Sequence, residues 1–203
     1  MSKIVAVIGA IASGKSELLA IFAKMGLVTL SLDKINLEII ENNLPDSVIA
    51  ILKEAKLDSD LSKAEARRCL FFKMLENAKL KKMIESILQP LIVKALKQKL
   101  VNFRDENYVV VEIPLFLELR SLIIDSLSIN KVIALVVDAK KQKQALLARG
   151  FSSTTIKQVL EIQPKAEEIL KYADYQLNNF DSTSLEFLEL EAKKLYDKLL
   201  SLA

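Results

Sequence analysis

Apolar residues in this chain alternate between two rhythms. Short unbroken runs at Ile4–Ile8, Val28–Leu32, Tyr108–Ile113 and Lys131–Val137 have the length and composition of core strands, and Tyr175–Leu177 reads as a short fifth. Between them the apolar positions fall at helical spacing, over Ser16–Lys24, Ile35–Glu41, Ser47–Lys56, Leu61–Leu75, Lys79–Phe103 and Ser182–Leu200. Asp58-Ser59-Asp60 and Asn77-Ala78 punctuate the middle helices, and residues 34–104 carry no strand pattern. Strands alternating with helices predict an α/β fold, a parallel sheet wrapped by helices. Ligands of such sheets bind at the carboxyl ends of the strands. That rule gathers Gly9–Ser16, Asp33, Glu112-Ile113-Pro114 and Asp138 at one crevice.

The first of these segments is the most specific. Residues 9–16 read Gly-Ala-Ile-Ala-Ser-Gly-Lys-Ser, a complete G-x-x-x-x-G-K-[ST] phosphate loop between a strand and a helix. Backbone N–H groups of Gly9, Ile11, Ala12, Ser13 and Gly14 and the helix dipole suit such a turn to an anion. Lys15 is expected to reach the β- and γ-phosphates of ATP, and the Ser16 hydroxyl to hold Mg²⁺.

Composition narrows the chemistry. The 203 residues suffice for one α/β domain, and 51% are hydrophobic against 27% charged. A net charge of +3, with only five arginines among 29 cations, gives no reason to expect nucleic acid. The chain has no His, which removes imidazole bases and ligands, and one cysteine, Cys69, read as a buried small hydrophobe in a reducing cytosol. Ile4–Ala12 is too short to cross a bilayer and runs on into a helix, so it reads as a core strand rather than a leader. The expected location is cytoplasmic, without membrane or nucleic-acid partners and with oligomeric state open.

A phosphate loop alone does not name a reaction. Asn130-Lys131 is followed by Val132-Ile133, and no Gly lies three residues after any Asp, so a GTPase switch is not expected. A small-molecule kinase needs a phosphate cradle, Mg²⁺ and a carboxylate near the acceptor hydroxyl. Asp33 suits the last role, or else caps a helix beginning at Lys34. Asp138 reads as a cap. Glu112 resembles a Walker B acid that holds Mg²⁺, or else is a partly exposed strand-end carboxylate.

Taken in order, the loop, Gly26, Asp33, Leu61-Ser62-Lys63 with Arg67, Gln89-Pro90-Leu91-Ile92, Ile113-Pro114-Leu115-Phe116 with Glu118, Val136-Val137-Asp138 and Ala173-Asp174-Tyr175 with Asn178 resemble the dephospho-CoA kinase family. The resemblance runs from Lys3 to Asn179. It implies a P-loop NTPase three-layer fold with a five-stranded parallel sheet, and ATP-dependent phosphorylation of the ribose 3′-hydroxyl of dephospho-CoA. It implies one domain over 1–203, with a core of 1–33, 105–138 and 173–203, a helical CoA-binding insertion at about 34–104 and a mobile lid at about 139–165. Asp33 then stands next to the acceptor hydroxyl, Lys63, Arg67, Gln89, Pro114, Leu115 and Glu118 face the CoA substrate, and Arg149 is a lid arginine near the ATP phosphates. The chain departs from the family pattern at Ala10, Ala12, Ser31, Lys63, Gln89 and Ala145. Another small-metabolite kinase, or a nucleotide-binding module without catalysis, is the alternative.

Overall fold

The computed structural model describes residues 2–42, 45–54, 63–114, 116–124, 126–180 and 182–201, without the side chains of 52–54, 63–69 and 124. Five strands form one parallel sheet: β1 (Lys3–Ile8), β2 (Val28–Ser31), β3 (Tyr108–Glu112), β4 (Ile129–Val136) and β5 (Tyr175–Asn178), in the order β2-β3-β1-β4-β5. The helices are α1 (Lys15–Lys24), α2 (Leu32–Asn42), α3 (Asp46–Glu54), α4 (Lys63–Glu76), α5 (Ala78–Val101), α6 (Phe116–Ile124), α7 (Ala139–Ala148), α8 (Ser153–Glu161), α9 (Ala166–Leu170) and α10 (Leu185–Leu200). Two compact units result, one of Met1–Asp33 with Gln98–Ala203 and one of Lys34–Lys97. No described helix is long and apolar enough to cross a membrane.

The sheet belongs wholly to the first unit. Its core is made by Val5 and Val7 of β1, Leu18 and Phe22 of α1, Ile133 and Leu135 of β4, and Leu188, Ala192 and Leu195 of α10. Burial on both faces is what unbroken apolar strands require. The Tyr108 hydroxyl donates to the Leu199 carbonyl at 2.8 Å, tying β3 to the end of α10. In the second unit Val48, Ile84 and Ile35 are buried. Asn77 ends α4 and starts α5, its Oδ1 accepting from Leu80 N–H at 3.0 Å.

Register sets the level of each strand end. Glu112 pairs with Val7 on one side and with Ser31 on the other. The residues just beyond this row, Gly9 onward and Asp33, therefore leave the sheet at one edge.

Several boundaries differ from the sequence expectation. The second strand stops at Ser31, and Leu32 already opens α2, so Asp33 lies in the first helical turn instead of capping a helix at Lys34. Leu32 is buried, and an isolated apolar residue fits a strand end or a helix start equally well. β4 begins two residues earlier than the apolar run, because Asn130 joins it, its Oδ1 accepting from Ile4 N–H at 2.7 Å. α10 starts at Leu185 after Ser184, whose hydroxyl accepts from Phe187 N–H at 3.1 Å. Helices α6, α7, α8 and α9 have no counterpart in the apolar spacing. The expected break at Asp58-Ser59-Asp60 lies outside the described residues.

Candidate active site

The loop between β1 and α1 starts the site. Gly14 precedes α1 at φ +95, and no side chain caps the helix. Open N–H groups at a helix N-terminus suit an anion. Glycine is required by space as well as by conformation. A Cβ on Gly14 would sit 2.3 Å from Asn179 Nδ2, and one on Gly9 would sit 2.6 Å from the Leu135 carbonyl oxygen. Ala12 adopts φ 57, a left-handed conformation in a residue that has a Cβ.

Three side chains lock the loop from outside it. Asn179 is buried at the end of β5 and donates from Nδ2 to the Ser13 carbonyl at 2.9 Å. Gln163 Oε1 accepts from Ile11 N–H at 3.0 Å, and Gln142 Nε2 donates to the Ile11 carbonyl at 2.9 Å. None of the three carried a signal in the sequence, because amides read as ordinary polar residues until their partners are known. Ser13 is fully buried, and its hydroxyl has no hydrogen-bond partner.

Lys15 is buried, and its Nζ donates to the carbonyls of Gly9 at 3.0 Å and Ala10 at 2.9 Å. Burial lowers its pKa below the ordinary 10.5, the charges of Glu112 and Asp33 work against that, and Arg149 adds to it. Asp33 is exposed as a residue, yet protein atoms surround its carboxyl group. That partial desolvation, and then the Glu112 charge, raises its pKa above 3.8, with Lys15 and Arg149 opposing. Glu112 is 3% exposed, so it is a buried carboxylate and not a partly exposed one. Arg149 ends α7 and is exposed, with its charge felt at both Lys15 and Asp33. Four groups from four elements thus share one electrostatic environment: Lys15, Asp33, Glu112 and Arg149.

The remaining residues singled out in the sequence sit as follows. Ser16 is exposed in the first turn of α1. Pro114 follows β3 half-buried, and Glu118 is exposed in the first turn of α6. Gln89 is half-buried on α5 in the second unit. Leu115 lies outside the described residues, as do the side chains of Lys63, Arg67 and Cys69 on α4. Asp138 is the N-cap of α7, accepting from Lys141 N–H at 2.8 Å. Asp174 is structural: its carboxylate accepts from Val132 N–H at 2.8 Å and from Lys131 Nζ at 3.0 Å, joining the start of β5 to β4.

A phosphate cradle with a buried lysine, an acid at the neighbouring strand end and an opposing arginine can bind a polyphosphate and position a hydroxyl beside it. Comparison with known proteins agrees. The dephospho-CoA kinase family model matches residues 3–185. A dephospho-CoA kinase of Legionella pneumophila is 28% identical over 199 residues, spanning 95% of this chain and 92% of that protein. A crystal structure from Thermus thermophilus superposes with a TM-score of 0.78 at 25% identity, covering 98% of each chain. The solved dephospho-CoA kinase of Campylobacter jejuni gives a TM-score of 0.65 at 26% identity, again over 98% of each chain. The fold, the ordered motifs and the match over nearly the whole length lead to one statement: the chain belongs to the dephospho-CoA kinase family.

Proposed function

We propose that Asp33 is the group that orients and deprotonates the ribose 3′-hydroxyl of dephospho-CoA while the phosphate loop holds ATP. As a member of its family the chain is a phosphotransferase that turns ATP and dephospho-CoA into ADP and coenzyme A. In this reading the 3′-oxygen gives its proton to the Asp33 carboxylate and forms a bond to the γ-phosphorus. The bond from that phosphorus to the β,γ-bridging oxygen breaks, and ADP leaves with the electron pair. The raised pKa of Asp33 makes its carboxylate a stronger base than an ordinary aspartate.

Lys15 and Arg149 supply the positive charge that the transferring phosphoryl group needs. The loop amides of Gly9, Ile11, Ala12, Ser13 and Gly14 and the N–H groups of Lys15 and Ser16 would line the polyphosphate. Mg²⁺ fits the donors present: the Ser16 hydroxyl and the buried Glu112 carboxylate are hard oxygen ligands. No group of three His, Cys, Asp or Glu side chains suited to a metal exists among the described residues. That pattern suits an ion held mainly by substrate phosphates and water. When bound, the ion would neutralise phosphate charge.

We assign the CoA side of the substrate to Lys63, Arg67, Gln89, Pro114, Leu115 and Glu118 on the family's motif, with 34–104 as the CoA-binding insertion and 139–165 as the lid. A cytoplasmic location is part of this reading, and a single cysteine fits a reducing compartment.

The observation that carries the reading is geometric: the phosphate loop after β1 and Asp33 after β2 leave the sheet beyond the same row, marked by Glu112. A coupled assay of ADP release with dephospho-CoA tests it. Release well above a no-acceptor control, and a product phosphorylated at the ribose 3′-oxygen, is expected. Release no faster than the control overturns it.

A further inference from the structure

One residue of the phosphate loop is gripped at both of its backbone polar groups. Ile11 N–H donates to Gln163 Oε1 at 3.0 Å, and the Ile11 carbonyl accepts from Gln142 Nε2 at 2.9 Å. The two glutamines come from opposite ends of the segment that carries Arg149. Gln142 lies on α7, and Gln163 follows α8. Gln142 is itself buried, with 9% of its surface exposed. Arg149, the C-cap of α7, follows Gln142 by seven residues, about two helical turns, so the chain returns there to the side of the helix that carries Gln142. An anchor at Gln142 therefore fixes the direction in which that face presents Arg149.

The chemistry of the pair is specific. A glutamine amide can donate or accept and brings no charge. Here one donates and the other accepts, on a loop that must take a polyanion. Ions in their place would change the field that the phosphates meet.

We propose that Gln142 and Gln163 are positioning residues of the phosphotransfer, which staple residues 139–163 to Ile11 and thereby aim Arg149 at the transferred phosphoryl group. The proposal rests on the role given to Arg149 above. The glutamines touch neither reacting atom and act through the arginine.

The test uses the full chain and the variants Gln163→Ala, Gln142→Ala, Gln163→Glu and Arg149→Ala, with each glutamine-to-alanine change also combined with Arg149→Ala. Gln163 is half-buried, so its variants remain informative if Gln142→Ala folds poorly. Exchange of the Ile11 amide proton is expected to speed up about tenfold in Gln163→Ala. Gln163→Glu is expected to restore the protection, since a carboxylate oxygen accepts from the same N–H. In Gln163→Ala kcat should fall about tenfold while KM for dephospho-CoA stays unchanged. The double variants should turn over no more slowly than Arg149→Ala alone. Losses that multiply in the double variants would overturn the link to Arg149. Ile11 exchange that is already fast in the wild type would overturn the staple and leave the proposed function standing. A wild-type chain that folds, shows a protected Ile11 and phosphorylates no dephospho-CoA would instead overturn the function, and with it the positioning role.

Discussion

The side-chain amide of Asn179 occupies the space that a Cβ on Gly14 would enter. The separation would be 2.3 Å, and the same amide is committed to the Ser13 carbonyl at 2.9 Å. Gly14→Ala must therefore break a buried hydrogen bond or move the loop, in addition to straining a backbone at φ +95. We expect a stability loss of about 2–4 kcal/mol, the backbone and hydrogen-bond costs together, and a large loss of ATP affinity. Gly26→Ala is the control. Its φ is +90, yet nothing lies within 4 Å of the added Cβ. It should cost about 1–2 kcal/mol and leave ATP affinity alone. Thermal unfolding and ATP titration of both variants check this, and equal effects on affinity would speak against the Asn179 contact.

Asp33 sets activity against stability. Its carboxyl holds the proton more tightly in the folded chain than in the unfolded one, because partial desolvation and Glu112 disfavour the charge. The unfavourable ionisation is absent below the unfolded value of 3.8 and is fully felt only above the raised folded value. At pH 7–8, Asp33→Asn should unfold at a higher temperature than the wild type, and the gap should close as pH falls toward the unfolded value. Turnover in the same variant should fall about 10²- to 10⁴-fold. In the wild type kcat/KM should drop on the acid side at a pH above that of an ordinary aspartate. An Asp33→Asn enzyme with near-wild-type kcat would leave the carboxylate as a helix-start residue only.

How much of this was legible beforehand follows from particular residues. The β1–loop–α1 unit was plain, because an apolar run, two glycines and a Lys-Ser pair are local signals. The five parallel strands followed from the same logic, and so did Asp138 as a cap, whose partner lies three residues away. Asp33 is legible as a candidate but its setting is not, since Leu32 satisfies the core as readily at a helix start as at a strand end. The burial of Glu112 is not legible in the sequence because it depends on β1 and β2, which flank it. Gln142, Gln163 and Asn179 were invisible. Each acts over a separation of more than a hundred residues, and no periodicity encodes an amide's distant partner.

Metal dependence separates Ser16 from Lys15. If the Ser16 hydroxyl is a ligand of Mg²⁺, Ser16→Ala should raise the Mg²⁺ concentration for half-maximal activity about tenfold and recover part of its rate at saturating metal. Lys15→Ala should lose about 10²-fold or more in kcat at any Mg²⁺ concentration, since in the proposed role it supplies the charge that meets the phosphates. Chelation with EDTA should abolish turnover in the wild type and in both variants. Titrating Mg²⁺ against initial rate decides the matter. An unchanged metal requirement in Ser16→Ala would remove the hydroxyl from the ligand set.

Asn179 joins the loop to the start of α7, and the two halves of its amide do different work. Nδ2 holds the Ser13 carbonyl, while Oδ1 accepts from Lys141 Nζ at 2.5 Å. Lys141 also donates to the Phe180 carbonyl at 3.2 Å and to the Thr183 carbonyl at 3.4 Å, and its loss leaves the bond from Asn179 Nδ2 to Ser13 intact. Asn179→Ala removes both links and leaves a buried carbonyl unpaired, a cost of about 1–3 kcal/mol. It should raise KM for ATP about tenfold, because the loop loses the contact that fixes Ser13. Lys141→Met should raise it less than threefold, because the Nδ2 bond survives. In the double variant the lysine change should add nothing further, since Lys141 acts on the loop only through Asn179. Steady-state kinetics on the three variants test this order, and a Lys141→Met effect as large as that of Asn179→Ala would place the control of the loop in the helix rather than in the amide.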